Sequence, residues 1–204
     1  MRTSSSAAPR VETRSQLPAA RSSTRPRELA RALLGPVADA QVLVISEAPT
    51  LLAAGLGRGR ARITPLALGP TAAGRRHPDA WRSTDLPTWH FDALLAEGLL
   101  SSAGDLEALL YRLRTWVRPD APFALVEPIA PPAWDPATAA PGATLSPGDV
   151  ELIRRHLPGL RVTRLPPEQT VTSWADALRT AVEPWIPALT REVRLAVLSG
   201  RFPP

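Results

Sequence analysis

The sequence predicts an α/β three-layer sandwich: a mostly parallel β-sheet with helices on both faces. Three observations carry this reading. Short, almost wholly apolar runs recur at residues 42–45 (VLVI), 91–96 (FDALLA) and 123–126 (FALV), as expected of strands covered on both faces. Stretches with helical spacing of apolar residues alternate with these runs. Residues 85–128 condense the pattern into strand, loop, long amphipathic helix, turn and second strand. That is the right-handed crossover unit of a parallel sheet.

Composition narrows the class. The 204 residues suit one domain with a full core, residues 25–204, preceded by a tail, residues 1–24. All 24 basic residues are Arg, with no Lys and no Asn, a bias better ascribed to a GC-rich coding sequence than to a physical demand. Residues 1–31 carry seven Arg against two Glu, and the rest carries 17 Arg against 17 acidic residues. The net charge of +5 therefore lies within the first 31 residues, and residues 32–204 are neutral. A nucleic-acid groove would need basic residues clustered in the folded part. Arg58, Arg60 and Arg62 are the one small cluster, and they read as a solvated turn. The absence of Cys excludes a disulfide framework, thiol catalysis and thiolate metal sites. His77, His90 and His156 show no metal-ligand spacing, so no metal is expected. No apolar run approaches the roughly 20 residues that span a bilayer. The expectation is a soluble, cytoplasmic protein with no membrane partner.

Taken in order, residues 1–24 are rich in Ser, Ala, Arg and Pro and have almost no hydrophobic pattern. Such a segment reads as a disordered basic extension, and its composition also fits an organelle transit peptide. A helix is expected from Arg25, with Leu29, Ala32, Leu33 and Leu34 on one side and Gly35-Pro36 as its stop. The strand at 42–45 turns through Ser46 to Thr50 into a short helix capped by Ser46 or Thr50. A second strand at 61–68 is weakened by Pro65, and residues 69–80 read as a loop. In the central unit, Asp105 is the expected N-cap, and Leu106, Leu109, Leu110, Leu113 and Val117 keep helical spacing. Arg112, Arg114 and Arg118 sit toward the helix C-terminus, where cations suit the macrodipole, and Pro119-Asp120 ends it. Residues 130–147 carry five Pro and read as a long loop of the kind that often forms a lid. Ser146 to Asp149 should cap a helix at 150–157, and residues 160–165 (LRVTRL) alternate like an edge strand. A helix after Thr172 or Ser173 places Trp174, Leu178, Val182 and Trp185 on one face. Residues 193–198 could be a last strand or a helix end, with the strand preferred.

The ordered succession Leu86-Pro87, Phe91-Asp92, Asp105, Val117-Arg118-Pro119-Asp120 and Glu127-Pro128 resembles the class I S-adenosylmethionine-dependent methyltransferases, nearest to their small-molecule branch. The element order is similar over residues 26–200, and the detail over residues 85–165. The resemblance implies a Rossmann-like, mostly parallel sheet of the class I methyltransferase type, S-adenosylmethionine as cofactor and a small-molecule acceptor. It also exposes departures. The family's D-x-G-x-G-x-G turn would place its acid on Val44 and its glycines on Ser46, Ala48 and Thr50. The acid that usually grips the ribose would fall near Ala67, and the one near the adenine at Arg82.

On this resemblance, Ser46, Glu47, Ala48, Arg82, Ser83, Glu97 and Gly98 would face the cofactor, and Glu127 and Trp134 the acceptor. Ligands of open α/β sheets bind beyond the carboxyl ends of the strands, where Glu97 and Glu127 are expected; each could equally be solvated or paired with Arg. Asp92 and His90 fall at the opposite end of their strand and read as structural. Trp81, Trp89, Trp134, Trp174 and Trp185 read first as core or lid packing. Ser46 after a strand is not a nucleophile elbow, since G-x-S-x-G is absent and no His follows near the C-terminus. Two functions remain open. One is a methyltransferase acting on a small molecule; the other is a non-catalytic methyltransferase-like subunit, a pseudoenzyme that binds a protein partner instead of the cofactor.

Overall fold

Apolar strands that hide both faces need two covering layers, and the computed structural model supplies them. It describes residues 26–46, 49–54, 56, 60–68, 80–130, 144–166 and 194–204. Within these, the elements run α1 (Pro26–Leu34), β1 (Gln41–Ser46), α2 (Pro49–Ala53), β2 (Arg62–Ala67), a short 3-10 turn (Ala80–Ser83), β3 (Ala93–Glu97), α3 (Leu106–Trp116), β4 (Pro122–Ile129), α4 (Pro147–His156), β5 (Arg161–Arg164) and β6 (Arg194–Arg201). The six strands form one sheet in the order β2-β1-β3-β4-β6-β5. The pairings from β2 to β4 are parallel, whereas β6 runs antiparallel to both β4 and β5. The residues at 193–198 are thus resolved in favour of the strand.

Successive strand residues point to opposite faces, and the core divides accordingly. Leu43, Ile45, Leu94, Ala96, Phe123, Leu125 and Leu198 face α3 and α4, meeting Leu109, Leu113, Trp116 and Ile153. Val42, Val44, Ala93, Leu95, Ala124, Val126 and Val197 face the other way, toward Ala30 and Leu34 of α1 and Leu52 of α2. This is the three-layer arrangement that the continuous apolar runs imply.

Several expectations shift by local chemistry. The strand expected at 91–96 is displaced, because the Asp92 carboxylate accepts the Gln41 N–H at 2.9 Å and pairs with Arg118. Phe91 makes only an isolated bridge to Val117, and the ladder proper begins at Ala93. Asp92 is therefore structural, as its position suggested. The helix expected at 150–157 starts three residues earlier, at Pro147. Ser146 and Asp149 form a reciprocal capping box, and proline is tolerated in the first turn. Asp105 caps α3 as expected, accepting the Ala108 N–H at 3.0 Å. The buried stripe of α1 is Pro26, Ala30 and Leu34. Ala32 and Leu33 are exposed instead of buried, since an i, i+4, i+8 line meets the sheet. Arg62 opens β2 in the parallel ladder opposite Gln41, so the expected solvated turn ends before it. Trp81 joins the core, whereas Trp89 is 59% exposed at a φ of 47°. The tail 1–24, most of the loops at 69–80 and 130–147, and the helix with Trp174 and Trp185 lie outside the described residues.

Two contacts fix the ends of the sheet. At the carboxyl edge, Glu127 of β4 is completely buried, and its oxygens accept the N–H groups of Leu100 (2.9 Å) and Ser101 (3.1 Å). A buried carboxylate is tolerated when such bonds satisfy it. At the amino edge, Gly200 of β6 lies so close to its neighbours that an added Cβ would stand 2.9 Å from the Gly159 carbonyl oxygen and 3.0 Å from the Phe123 ring.

Each contact sets an expected outcome. Gly200→Ala should destabilise the protein by about 1–3 kcal/mol, the usual range for overpacking, read from urea unfolding midpoints. A midpoint equal to the wild-type value would refute the close approach. Glu127→Ala orphans two buried N–H groups, at about 1–3 kcal/mol each, while Glu127→Gln retains one acceptor oxygen and should recover part of that loss. Equal stability of the two variants would show that the amides find other partners.

Candidate active site

Parallel strands align their carboxyl ends, so the edge where β2, β1, β3 and β4 finish collects residues distant in sequence. Ser46 ends β1 opposite Ala67 at the end of β2, and its carbonyl accepts the Leu68 N–H at 2.9 Å. On the other side of β1, the last paired residues are Ile45 and Ala96, so Ser46 and Glu97 leave the sheet as neighbours. Gly98 follows with a φ of 64°, a conformation that glycine adopts without a Cβ clash. Its N–H donates to the Val126 carbonyl at 2.9 Å, fixing the turn to β4.

The carboxylate at this edge already has a partner. Arg27, in the first turn of α1, donates through Nε to Glu97 Oε2 at 2.9 Å, and its Nη2 stands 2.8 Å from the same oxygen. The side chains retain 35% and 26% exposure, so the pair sits at a partly dry rim. One turn later, Arg31 donates to the Leu52 carbonyl at 3.1 Å, linking α1 to α2. Burial lowers the Arg31 pKa from the ordinary guanidinium value, with Glu28 opposing and Arg27 adding to the shift.

The described residues among those expected to face a ligand separate into three groups. Ser46, Glu97 and Gly98 come together at the carboxyl edge. Arg82 and Ser83 lie on the exposed 3-10 turn, where Arg82 Nη2 donates to Asp105 Oδ2 at 3.1 Å and braces the N-cap of α3. Glu127 stands apart, buried: β4 runs two residues past it, and its two oxygens accept the N–H groups of the chain leaving β3. Glu47, Ala48 and Trp134 lie outside the described residues. Sequence reasoning missed Arg27, which is 70 residues from Glu97 and announced by no local motif.

A hollow of about 460 Å³ opens on the same edge, where β4, α4 and β5 meet. Ile129, Val150 and Val162 give it an apolar floor, and Arg154 and Arg164 line its side. Arg154 pairs with Glu151. Among the described residues, no cluster of three or more His, Asp or Glu could hold a metal ion. No described helix is long and apolar enough to cross a membrane.

No protein-family model matches the chain, and no curated protein matches it in sequence. Its fold is similar to that of solved structures at low identity. One is the Haemonchus contortus phosphoethanolamine N-methyltransferase 2, solved with phosphomonomethylethanolamine and S-adenosylhomocysteine (10% identity, TM-score 0.56). That match covers 86% of this chain and 52% of the other, so the chain spans about half the length of that enzyme. A second is the geranyl diphosphate C-methyltransferase of Streptomyces coelicolor A3(2), solved with Mg2+, geranyl diphosphate and S-adenosyl-L-homocysteine. Here identity is 13%, coverage is 86% of this chain and 78% of that one, and the TM-score is 0.59. A third is the cyclase SpnF, with 13% identity, coverage of 87% and 80%, and a TM-score of 0.58. With its mostly parallel six-stranded sheet and antiparallel β6 set between β4 and β5, the chain has the fold of the class I S-adenosylmethionine-dependent methyltransferases.

Proposed function

We propose that this protein is an S-adenosylmethionine-dependent methyltransferase acting on a small molecule in the cytoplasm. The observation that carries the reading is the meeting of Ser46 with Glu97 and Gly98 where β1 and β3 end side by side. Proteins of the same fold have been solved with S-adenosylmethionine or S-adenosylhomocysteine. The residues at this edge suit such a cofactor. Ser46 and Gly98 put no large side chain between the strand ends, and Glu97 offers a carboxylate for hydroxyl or ammonium donors. Arg27, held against Glu97, adds a cation beside it. This set departs from the family's turn glycines and acids, and places its charge at the end of β3.

When bound, the cofactor supplies a methyl group on a sulfonium, and transfer depends mainly on alignment with the acceptor. The chain's part is to hold the two partners in line and to keep water out. The buried sheet edge and the Glu127-anchored turn at Leu100 and Ser101 give that edge a rigid frame. The hollow between β4, α4 and β5 is our candidate for the acceptor. Its apolar floor and its arginines suit a small molecule with an apolar body and an acidic group.

Calorimetric titration with S-adenosylmethionine and S-adenosylhomocysteine tests the proposal. Micromolar affinity for both is expected, lost in Ser46→Trp and weakened in Glu97→Gln. No heat at high-micromolar ligand would overturn it and leave the non-catalytic reading in its place.

A further inference from the structure

The opposite, amino edge of the sheet carries a second cavity, of about 600 Å³, lined among the described residues by Asp39, Gln41, Arg60, Arg62, Asp92 and Arg118. All six are polar or charged. Two of them form its fixed wall. The Arg118 guanidinium is held between the Asp92 carboxylate and the Trp89 carbonyl, and Asp92 is tied in turn to the Gln41 N–H at 2.9 Å. The charges of that pair are spent on each other.

Arg60 and Arg62 differ. Their guanidinium groups make no hydrogen bond and no ion pair among the described residues. Both line the same cavity, Arg62 as the first residue of β2 and Arg60 two residues before the strand begins. The Arg62 backbone is not free to drift: it is paired with Gln41, and its N–H donates to the Ala40 carbonyl at 2.8 Å. Two like charges lining one cavity repel each other unless an anion lies between them. Guanidinium groups present fixed forks of donors that fit phosphate and carboxylate oxygens in pairs. Asp39, held at a φ of 58° on the same wall, opposes any anion, so the arginines must outweigh it.

We propose that this cavity is a binding site for a small polyanion, whose phosphate or carboxylate oxygens are taken by Arg60 and Arg62. It lies at the end of the sheet away from Ser46 and Glu97, so it stands or falls independently of the methyltransferase reading.

The test is titration of the full chain, at low ionic strength, with pyrophosphate and with citrate. Saturable binding of one equivalent is expected for at least one of them, and which one binds separates the phosphate source from the carboxylate source. The Arg60→Gln/Arg62→Gln double variant should weaken it at least about tenfold, as expected for loss of charge-assisted bonds. Its thermal midpoint without ligand should not fall, since neither guanidinium holds another described residue. The basic tail is the competing explanation. A variant with Arg2, Arg10, Arg14, Arg21 and Arg25 all replaced by Gln should keep the binding. No saturable binding of either probe, or binding that survives the double variant, would overturn the proposal.

Discussion

The structure depends on burying both faces of one sheet. Once Val42 and Val44 point one way and Leu43 and Ile45 the other, a single layer of helices cannot shield the strand. The helices must divide: α3 and α4 cover one face, and α1 and α2 the other. With both faces occupied, chemistry can reach the sheet only at its two edges. This is why Ser46, Glu97 and both hollows lie where strands begin or end, and why Glu127, which does enter the interior, spends its oxygens on backbone donors.

Much of the fold is readable in the sequence, since the relevant signals are local. The apolar runs of β1, β3 and β4 and the cap at Asp105 are carried by adjacent residues. The errors arise where a distant partner decides. Asp92 reads as a strand residue until its carboxylate is seen to bond Gln41, 51 positions earlier. The buried stripe of α1 depends on which helical line meets the sheet, and Leu33 loses that competition to Ala30 and Leu34. The site is harder to read for the same reason. Glu97 could be placed near a strand end from its position alone, but its partner Arg27 and the fully buried state of Glu127 are tertiary facts.

Scaffold and site thus obey different rules. The alternation that builds the sheet tolerates any apolar residue of suitable size, so the fold persists at 10–13% identity to solved methyltransferases and to a cyclase. A ligand contact needs one side chain at one place. At the carboxyl edge stand a serine, a glycine of positive φ and a carboxylate clamped by an arginine from α1, and the amino edge presents a separate set of charges.

The antiparallel direction of β6 also bears on how the molecule assembles. β5 pairs with β6, and β6 alone joins it to β4. Of the strands described, β6 is the last to leave the ribosome. Until it emerges, β4 presents an open hydrogen-bonding margin, and β5 with α4 has no seat in the sheet. During synthesis, the half built from β1 to β4 can gather early. The other half must wait, and the apolar margin of β4 stays open until residues 194–201 close it.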